Sequence, residues 1–157
     1  MVKYFFWGII AAAGALVLEL ATLAMANTHP QNYAPELGLT APLVLAAVIE
    51  EVFKFSFVRK AREEEYPASK GNFFLKILLI GLGFSLTELF LNISRLSPSE
   101  LPYGYALGAI LLHLATVFIM GYLFLKTTRG ETTLAFLIAL PAIILHLSYN
   151  LLVIHIF

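Results

Sequence analysis

The chain alternates long apolar stretches with short polar ones. Five stretches are apolar enough to cross a bilayer, since about 20 helical residues rising ~1.5 Å each cover ~30 Å of hydrocarbon. They run over Tyr4–Ala26, Leu37–Val58, Asn72–Leu96, Tyr103–Lys126 and Thr132–Phe157. The connections contain proline, glycine, serine or charged residues, which is typical of turns. This pattern predicts an all-α, multi-pass membrane helix bundle of about five transmembrane helices.

The composition supports one domain within a lipid bilayer. Of the 157 residues, 60% are hydrophobic and 13% are charged, whereas about 25% are charged in a soluble domain. The length accommodates a single domain over residues 1–157 and no separate soluble module. The formal net charge is zero and no basic block is present, which argues against nucleic acid as a partner. The absence of cysteine excludes disulfides and thiolate metal ligands.

Basic residues concentrate at the connections on one side of the predicted helix bundle. The first connection has no lysine or arginine, and the third is flanked only by Arg95. Seven other basic residues flank the opposite ends: Lys3, Arg59, Lys60, Arg62, Lys70, Lys126 and Arg129. By the positive-inside rule, the N-terminus is expected in the cytoplasm. Residues 1–26 also fit a cleaved signal peptide, although their apolar run is longer than usual.

Several ionisable side chains interrupt the apolar stretches. A carboxylate near the hydrocarbon centre costs roughly 2.5–3.5 kcal/mol on insertion scales. Such groups are expected to meet one another, water or a metal ion rather than lipid. Glu19 is one of them, and we assign it no chemistry. The others predict a chemical site at membrane depth: Glu50, Glu51, Glu88, His113 and His146.

The second stretch carries two consecutive carboxylates. Glu50 and Glu51 lie about 100° apart around a helix, so one can face a cavity while the other faces a neighbouring helix. Lys54 follows at a spacing that lets it reach either carboxylate. Alternatively, Lys54 extends to water from a helix end.

The later stretches supply one acid, two imidazoles and an amide. Glu88 either contributes to the site or pairs with Arg95 two helical turns away. A lone histidine in an apolar helix is often a structural hydrogen bonder, and this alternative stays open for His113. His146 and Asn150 are one turn apart, which places two hydrogen-bonding groups on one helix face.

These residues form four motifs that follow one another in a characteristic order. They resemble the PrsW-type glutamic intramembrane proteases, which belong to the CAAX-protease and bacteriocin-processing superfamily. This chain departs from the usual PrsW pattern at Leu89, where asparagine is common, and relatives are commonly longer. The motifs are Glu50-Glu51-x-x-Lys54, Gly81-x-x-Phe84-Ser85-x-x-Glu88, His113 and His146-x-x-x-Asn150.

The resemblance implies a glutamic-type intramembrane endopeptidase. In that reading, Glu50 is the general base that takes a proton from water. Glu88 and His113 position the water, and His146 and Asn150 donate hydrogen bonds to the oxyanion.

The resemblance also assigns supporting residues and bears on the cofactor. Glu51 and Lys54 form a supporting network beside the catalytic groups, and Phe84 supports the second motif. The glutamic mechanism needs no cofactor. An alternative is a divalent metal such as zinc, for which carboxylates and imidazoles are suitable ligands. The helical zinc signature His-Glu-x-x-His is absent. The alternative ligands are Glu50, Glu88, His113 and His146.

The partners implied are a membrane-associated protein or peptide substrate and the lipid bilayer, most simply in a prokaryotic cell membrane. Two other classes of function stay open. Buried acids and histidines also serve as proton relays in carriers, but no internal repeat typical of carriers is evident. A non-catalytic scaffold or immunity-type protein is the other class.

Overall fold

A computed structural model of the protein describes residues 1–26, 41–65, 70–95, 103–126 and 135–156. All regular structure in these residues is α-helical, so the predicted all-α membrane helix bundle is confirmed. The helices are α1 (Val2–Ala26), α2 (Ala41–Glu65), α3 (Lys70–Arg95), α4 (Tyr103–Lys126) and α5 (Ala135–Ile156). The first predicted connection lies outside the described residues.

The second predicted connection begins later than the sequence indicated. We expected a loop from Arg59 to Gly71, but α2 continues as helix to Glu65 and α3 already begins at Lys70. Arg59 and Glu63, four residues apart, form an ion pair along the helix surface. Such a pair favours continuation of the helix.

Among the described residues, four helices are long and apolar enough to cross a membrane, over Val2–Met25, Gly71–Ser94, Ala106–Lys126 and Leu137–Ile154. α2 falls short in this respect, because it carries Glu50, Glu51 and Lys54 at its centre and a charged end. It instead contacts all four other helices. Its polar side chains can therefore be satisfied by protein rather than by lipid.

α1 and α3 cross at two glycines. A side chain at Gly8 would collide with the backbone oxygen of Ile80, and one at Gly83 with the backbone oxygen of Phe5. Only residues without a Cβ let two helix backbones approach so closely. This crossing sets α1 beside the polar part of α3.

A similar fit sets α3 against α4 and α4 against α5. A Cβ at Gly81 would lie 2.7 Å from the Cγ2 atom of Val117, and a Cβ at Gly108 would lie 2.5 Å from the hydroxyl of Tyr149. These contacts place the middle of α4 between α3 and α5. His113 lies in that part of α4, and so it can reach polar groups on both neighbours.

Candidate active site

The structure brings together the five ionisable groups that the sequence placed at membrane depth. Glu50 and Glu51 come from α2, Glu88 from α3, His113 from α4 and His146 from α5. The two imidazole rings meet edge to face, with their centres 5.5 Å apart. Both histidines are almost completely buried. Four helices therefore share one acid–imidazole cluster.

Lys54 lies at the centre of this cluster. Its side chain is fully buried, so the alternative in which it reaches water from a helix end is wrong. Its Nζ lies 2.5 Å from Oε1 of Glu51, 2.8 Å from Nδ1 of His113 and 3.4 Å from Oγ1 of Thr116. The Phe84 ring centre is 4.5 Å away. These partners replace water around a buried ammonium, which would otherwise be very costly.

Glu51 connects Lys54 to the last helix. Its Oε1 atom also lies 2.7 Å from Nδ1 of His146, so one oxygen has hydrogen-bonding partners on both α2 and α5. The carboxylate is fully buried. Glu51 therefore holds the His146 ring in a fixed orientation.

The opposite edge of the His146 ring faces Glu50. Its Nε2 atom lies 4.0 Å from Oε2 of Glu50, which is too far for a direct hydrogen bond. That oxygen is buried and has no hydrogen-bond partner among the described residues. A buried carboxylate oxygen normally has a partner. The arrangement leaves a place for a small polar group between Glu50 and His146.

Glu88 contacts the second histidine. Its Oε2 atom hydrogen-bonds with Nε2 of His113, and its side chain stays 27% exposed. The alternative partner, Arg95, has a side chain that lies outside the described residues. Glu88 thus reaches the cluster and also borders a more open space.

That space is a cavity of about 100 Å³ between α1, α2 and α3. Three glutamates border it, including Glu19, to which the sequence analysis assigned no chemistry. The signal at Glu19 was the same as for the other acids, a carboxylate within an apolar stretch. The lining residues are Ala12, Ala15, Leu16, Glu19, Glu50, Phe84, Glu88, Leu91 and Asn92.

Asn150 lies half-buried on α5, one turn after His146. Its neighbour Tyr149 makes the close contact with Gly108 that fixes α5 against α4. Its position on the same helix as His146 is compatible with the role that the sequence resemblance implies, which stays a prediction.

The protein is a membrane helix bundle with an internal cluster of acids and imidazoles. Such a cluster can activate water for hydrolysis. The family model described as PrsW family intramembrane metalloprotease matches residues 1–156, and the chain belongs to this family. The predicted resemblance to the PrsW family is therefore confirmed, and the protein is an intramembrane protease. No curated protein and no solved structure matches the chain.

The family description calls its members metalloproteases, which does not support the expectation of no cofactor and agrees with the alternative of a divalent metal. The described residues contain one matching group of donors: a carboxylate oxygen of Glu50 and one nitrogen each from His113 and His146 lie within 4.8 Å of one another. Two imidazoles and a carboxylate are a suitable set for zinc. The unpartnered oxygen of Glu50 is also what a cation would attract. In donor chemistry, these residues fit a divalent ion.

Proposed function

We propose that the protein hydrolyses a peptide bond of a membrane-associated protein or peptide, using a water held between Glu50 and His146. The observation that carries this proposal is the gap between the two side chains. Oε2 of Glu50 is buried without a described hydrogen bond, and it faces Nε2 of His146 across 4.0 Å. A single water can bridge two polar atoms at that separation.

Glu50 acts as the general base in this mechanism. It takes a proton from the water as the water oxygen attacks the scissile carbonyl carbon. The same carboxyl then gives the proton to the leaving amine as the carbon–nitrogen bond breaks. Its burial supports this role, because few competing waters surround the reacting groups.

The remaining residues position these groups and stabilise charge. His113 fixes Glu88 at the border of the cavity, and Glu51 fixes His146 beside the water. Asn150 supplies an amide N–H for the oxyanion, as the resemblance implies. One such donor is typically worth ~2.7–4 kcal/mol of transition-state stabilisation.

A divalent ion is the second candidate for activating the water. The residues that would hold it are drawn from Glu50, His113 and His146. When bound, such an ion polarises a carbonyl and lowers the pKa of a coordinated water. Glu88, which contacts His113 and borders the cavity, would then be the carboxylate available to handle protons.

The location follows from the same proposal. We place the protein as a multi-pass protein of a prokaryotic cell membrane, with its N-terminus in the cytoplasm. Most basic residues flank the N-terminus and the second and fourth connections, which lie on the same side of the predicted bundle. This distribution supports the orientation. The substrate is held by the same bilayer, so its scissile bond can reach a site on the inner faces of α2–α5.

Replacing Glu50 tests the proposal. The full chain is reconstituted in liposomes with a quenched fluorescent library of single-span peptides, and cleavage is measured. We expect Glu50→Gln to lower the cleavage rate by about 10²–10⁴-fold, the usual contribution of a general base. Thermal unfolding should stay close to that of the wild type, because glutamine has nearly the same shape.

Glu63→Gln is the matched control, since Glu63 lies exposed on the same helix. Undiminished cleavage by Glu50→Gln would contradict the proposal. If the protein is a scaffold, neither the wild type nor Glu50→Gln will cleave any peptide. If it is a proton-coupled carrier, ions will cross the liposome membrane without any peptide present.

Removing metal separates the two ways of activating water. Purified protein is analysed for bound metal, stripped with a chelator and assayed again with and without Zn²⁺. If Glu50 acts as the base without an ion, the stripped protein keeps its full activity. Loss of activity on stripping and its return with Zn²⁺ would instead establish the metal-dependent mechanism.

A further inference from the structure

The contacts of the buried cluster determine which ring nitrogen carries the hydrogen in neutral His113 and in neutral His146. We infer that Lys54 and Glu51 hold the two histidines in opposite tautomers. His113 carries its hydrogen on Nε2, whereas His146 carries its hydrogen on Nδ1. The hydrogen positions follow from the contacts of two neutral imidazole rings; only their meaning for the reaction rests on the proposed function.

The ammonium of Lys54 fixes the tautomer of His113. An ammonium has three hydrogens to donate and no lone pair with which to accept. Its Nζ lies 2.8 Å from Nδ1 of His113, so that nitrogen must be the acceptor. A neutral imidazole has one donor and one acceptor nitrogen. The hydrogen of His113 is therefore on Nε2, and it is donated to Glu88.

The surroundings of Lys54 keep it charged. Its Nζ is 2.5 Å from a carboxylate oxygen of Glu51 and 4.5 Å from the centre of the Phe84 ring. An ion pair and an aromatic face both stabilise a cation. The charge also disfavours a second hydrogen on His113, because an N–H at Nδ1 would point at the ammonium.

The carboxylate of Glu51 fixes the tautomer of His146. Paired with an ammonium, this group is ionised and can only accept hydrogen bonds. Its Oε1 atom lies 2.7 Å from Nδ1 of His146, which must then be the donor. Neutral His146 therefore presents an unprotonated Nε2 toward Glu50. A carboxylate that orients a histidine in this way commonly fixes its tautomer.

The opposite tautomers give the two histidines different chemistry. Only His146 has a nitrogen lone pair facing the gap beside Glu50, and His113 is a hydrogen donor. A water in the gap would donate one hydrogen to Oε2 of Glu50 and the other to Nε2 of His146. Its oxygen lone pairs would then be directed away from both side chains, toward a substrate carbonyl.

The same assignment narrows the residues available to a divalent ion. A metal ligand must offer a nitrogen lone pair, which His146 does at Nε2. His113 has its Nδ1 lone pair engaged by Lys54 and a hydrogen on its Nε2. Of the three residues that lie near one another, only Glu50 and His146 therefore remain as ligands, one protein ligand fewer than a catalytic zinc site usually has.

Nuclear magnetic resonance of the full chain tests the inference directly. Protein labelled with ¹⁵N in its histidine rings is placed in nanodiscs at neutral pH, and long-range ¹H–¹⁵N correlations identify each tautomer. The chain has four histidines, and single His→Gln variants assign their signals. We expect the Nε2–H pattern for His113 and the Nδ1–H pattern for His146.

The same pattern in both rings, or a doubly protonated form of either one, would overturn the inference. The measurement needs no activity. An inactive protein with opposite tautomers would therefore refute the proposed function and leave this inference standing.

A double variant tests whether Lys54 and Glu51 are responsible. Lys54→Met with Glu51→Leu removes both groups without leaving a buried charge unpaired. We expect His146 to lose its pure Nδ1–H pattern and to show a mixture of tautomers. An unchanged pattern would show that another group holds the ring and would overturn the roles assigned to Lys54 and Glu51.

The ligand assignment is tested by titrating metal-free protein with Zn²⁺ alone and measuring the heat of binding by calorimetry. Glu51→Gln, which alters the group that orients His146, should weaken any binding by about 10–100-fold. His146→Gln should weaken it at least as much, while His113→Gln should leave it close to that of the wild type. Equal losses in the two histidine variants would overturn the ligand assignment. The inference about the tautomers is decided by the magnetic resonance measurement, whether or not an ion binds.

Discussion

The centre and the end of α2 carry the same kinds of charged residues at similar helical spacing, in opposite surroundings. At the centre, Glu51 and Lys54 are three residues apart, and both side chains are 0% exposed. At the end, Arg59 and Glu63 are four residues apart and are 48% and 59% exposed. Helix geometry produces an ion pair in both places. The surroundings decide whether that pair organises a reaction or merely lies in solvent.

Breaking the central pair should have the largest effect on stability. Lys54→Met leaves Glu51 buried without its cation, and such changes typically cost about 3–5 kcal/mol. Arg59→Gln at the end of the helix should cost only about 0.3–0.5 kcal/mol. Denaturant unfolding in mild detergent measures both variants. Equal stabilities would show that the surroundings make no difference.

The double variant Lys54→Met with Glu51→Leu sharpens this comparison. It should recover much of the stability that Lys54→Met loses, because no buried charge remains unpaired. Peptide cleavage should stay lost in both, since the histidines are no longer held. A double variant that unfolds as readily as the single one would contradict this explanation.

The aromatic contacts of the lysines differ in the same way. Nζ of Lys54 lies 4.5 Å from the ring centre of Phe84, and Nζ of Lys60 lies 4.8 Å from that of Trp7. A desolvated cation gains about 2 kcal/mol from an aromatic face, and an exposed one about 0.5–1 kcal/mol. Phe84→Leu should therefore lower stability more than Lys60→Gln. The reverse order of unfolding midpoints would contradict this prediction.

The smallest effect is expected where Lys3 meets Glu64 near the end of α2. The hydrogen bond from Lys3, 2.7 Å long, lowers the pKa of the Glu64 carboxyl below its ordinary value of 4.5. The contact therefore contributes stability above that value, and this is lost as the pH falls through the lower pKa of the folded protein. Exposure to solvent keeps the contribution small.

The pH dependence can be isolated with Glu64→Gln. The difference in unfolding midpoint between wild type and variant should be largest at neutral pH and should vanish in acid. A difference that stays constant with pH would show that the Glu64 charge does not stabilise the fold.

The sequence was sufficient to predict the helices and which polar groups interrupt them. Long apolar runs dictate helices, and the cost of a charge in hydrocarbon singles out Glu50, Glu88, His113 and His146. The span boundaries and the single domain over residues 1–157 stay predictions. α2 was the least apolar of the five, because its polar residues face the other helices.

The partners within the site could not be predicted from the sequence. Helical spacing let Lys54 reach either glutamate, and only the packing of α4 shows that it joins Glu51 to His113. The place of Glu19 beside Glu50 and Glu88 could not be predicted, because the crossing of α1 and α3 depends on Gly8 and Gly83, which lie on separate helices. Contacts between distant helices leave no periodic signal along the chain.

The cavity beside Glu50 has a consequence for repeated turnover. Its volume of about 100 Å³ is enough for several waters, since one water needs about 10–15 Å³ of such space. Each peptide bond that is cleaved consumes one water. The cavity is partly open, so the water consumed can be replaced from outside between reactions.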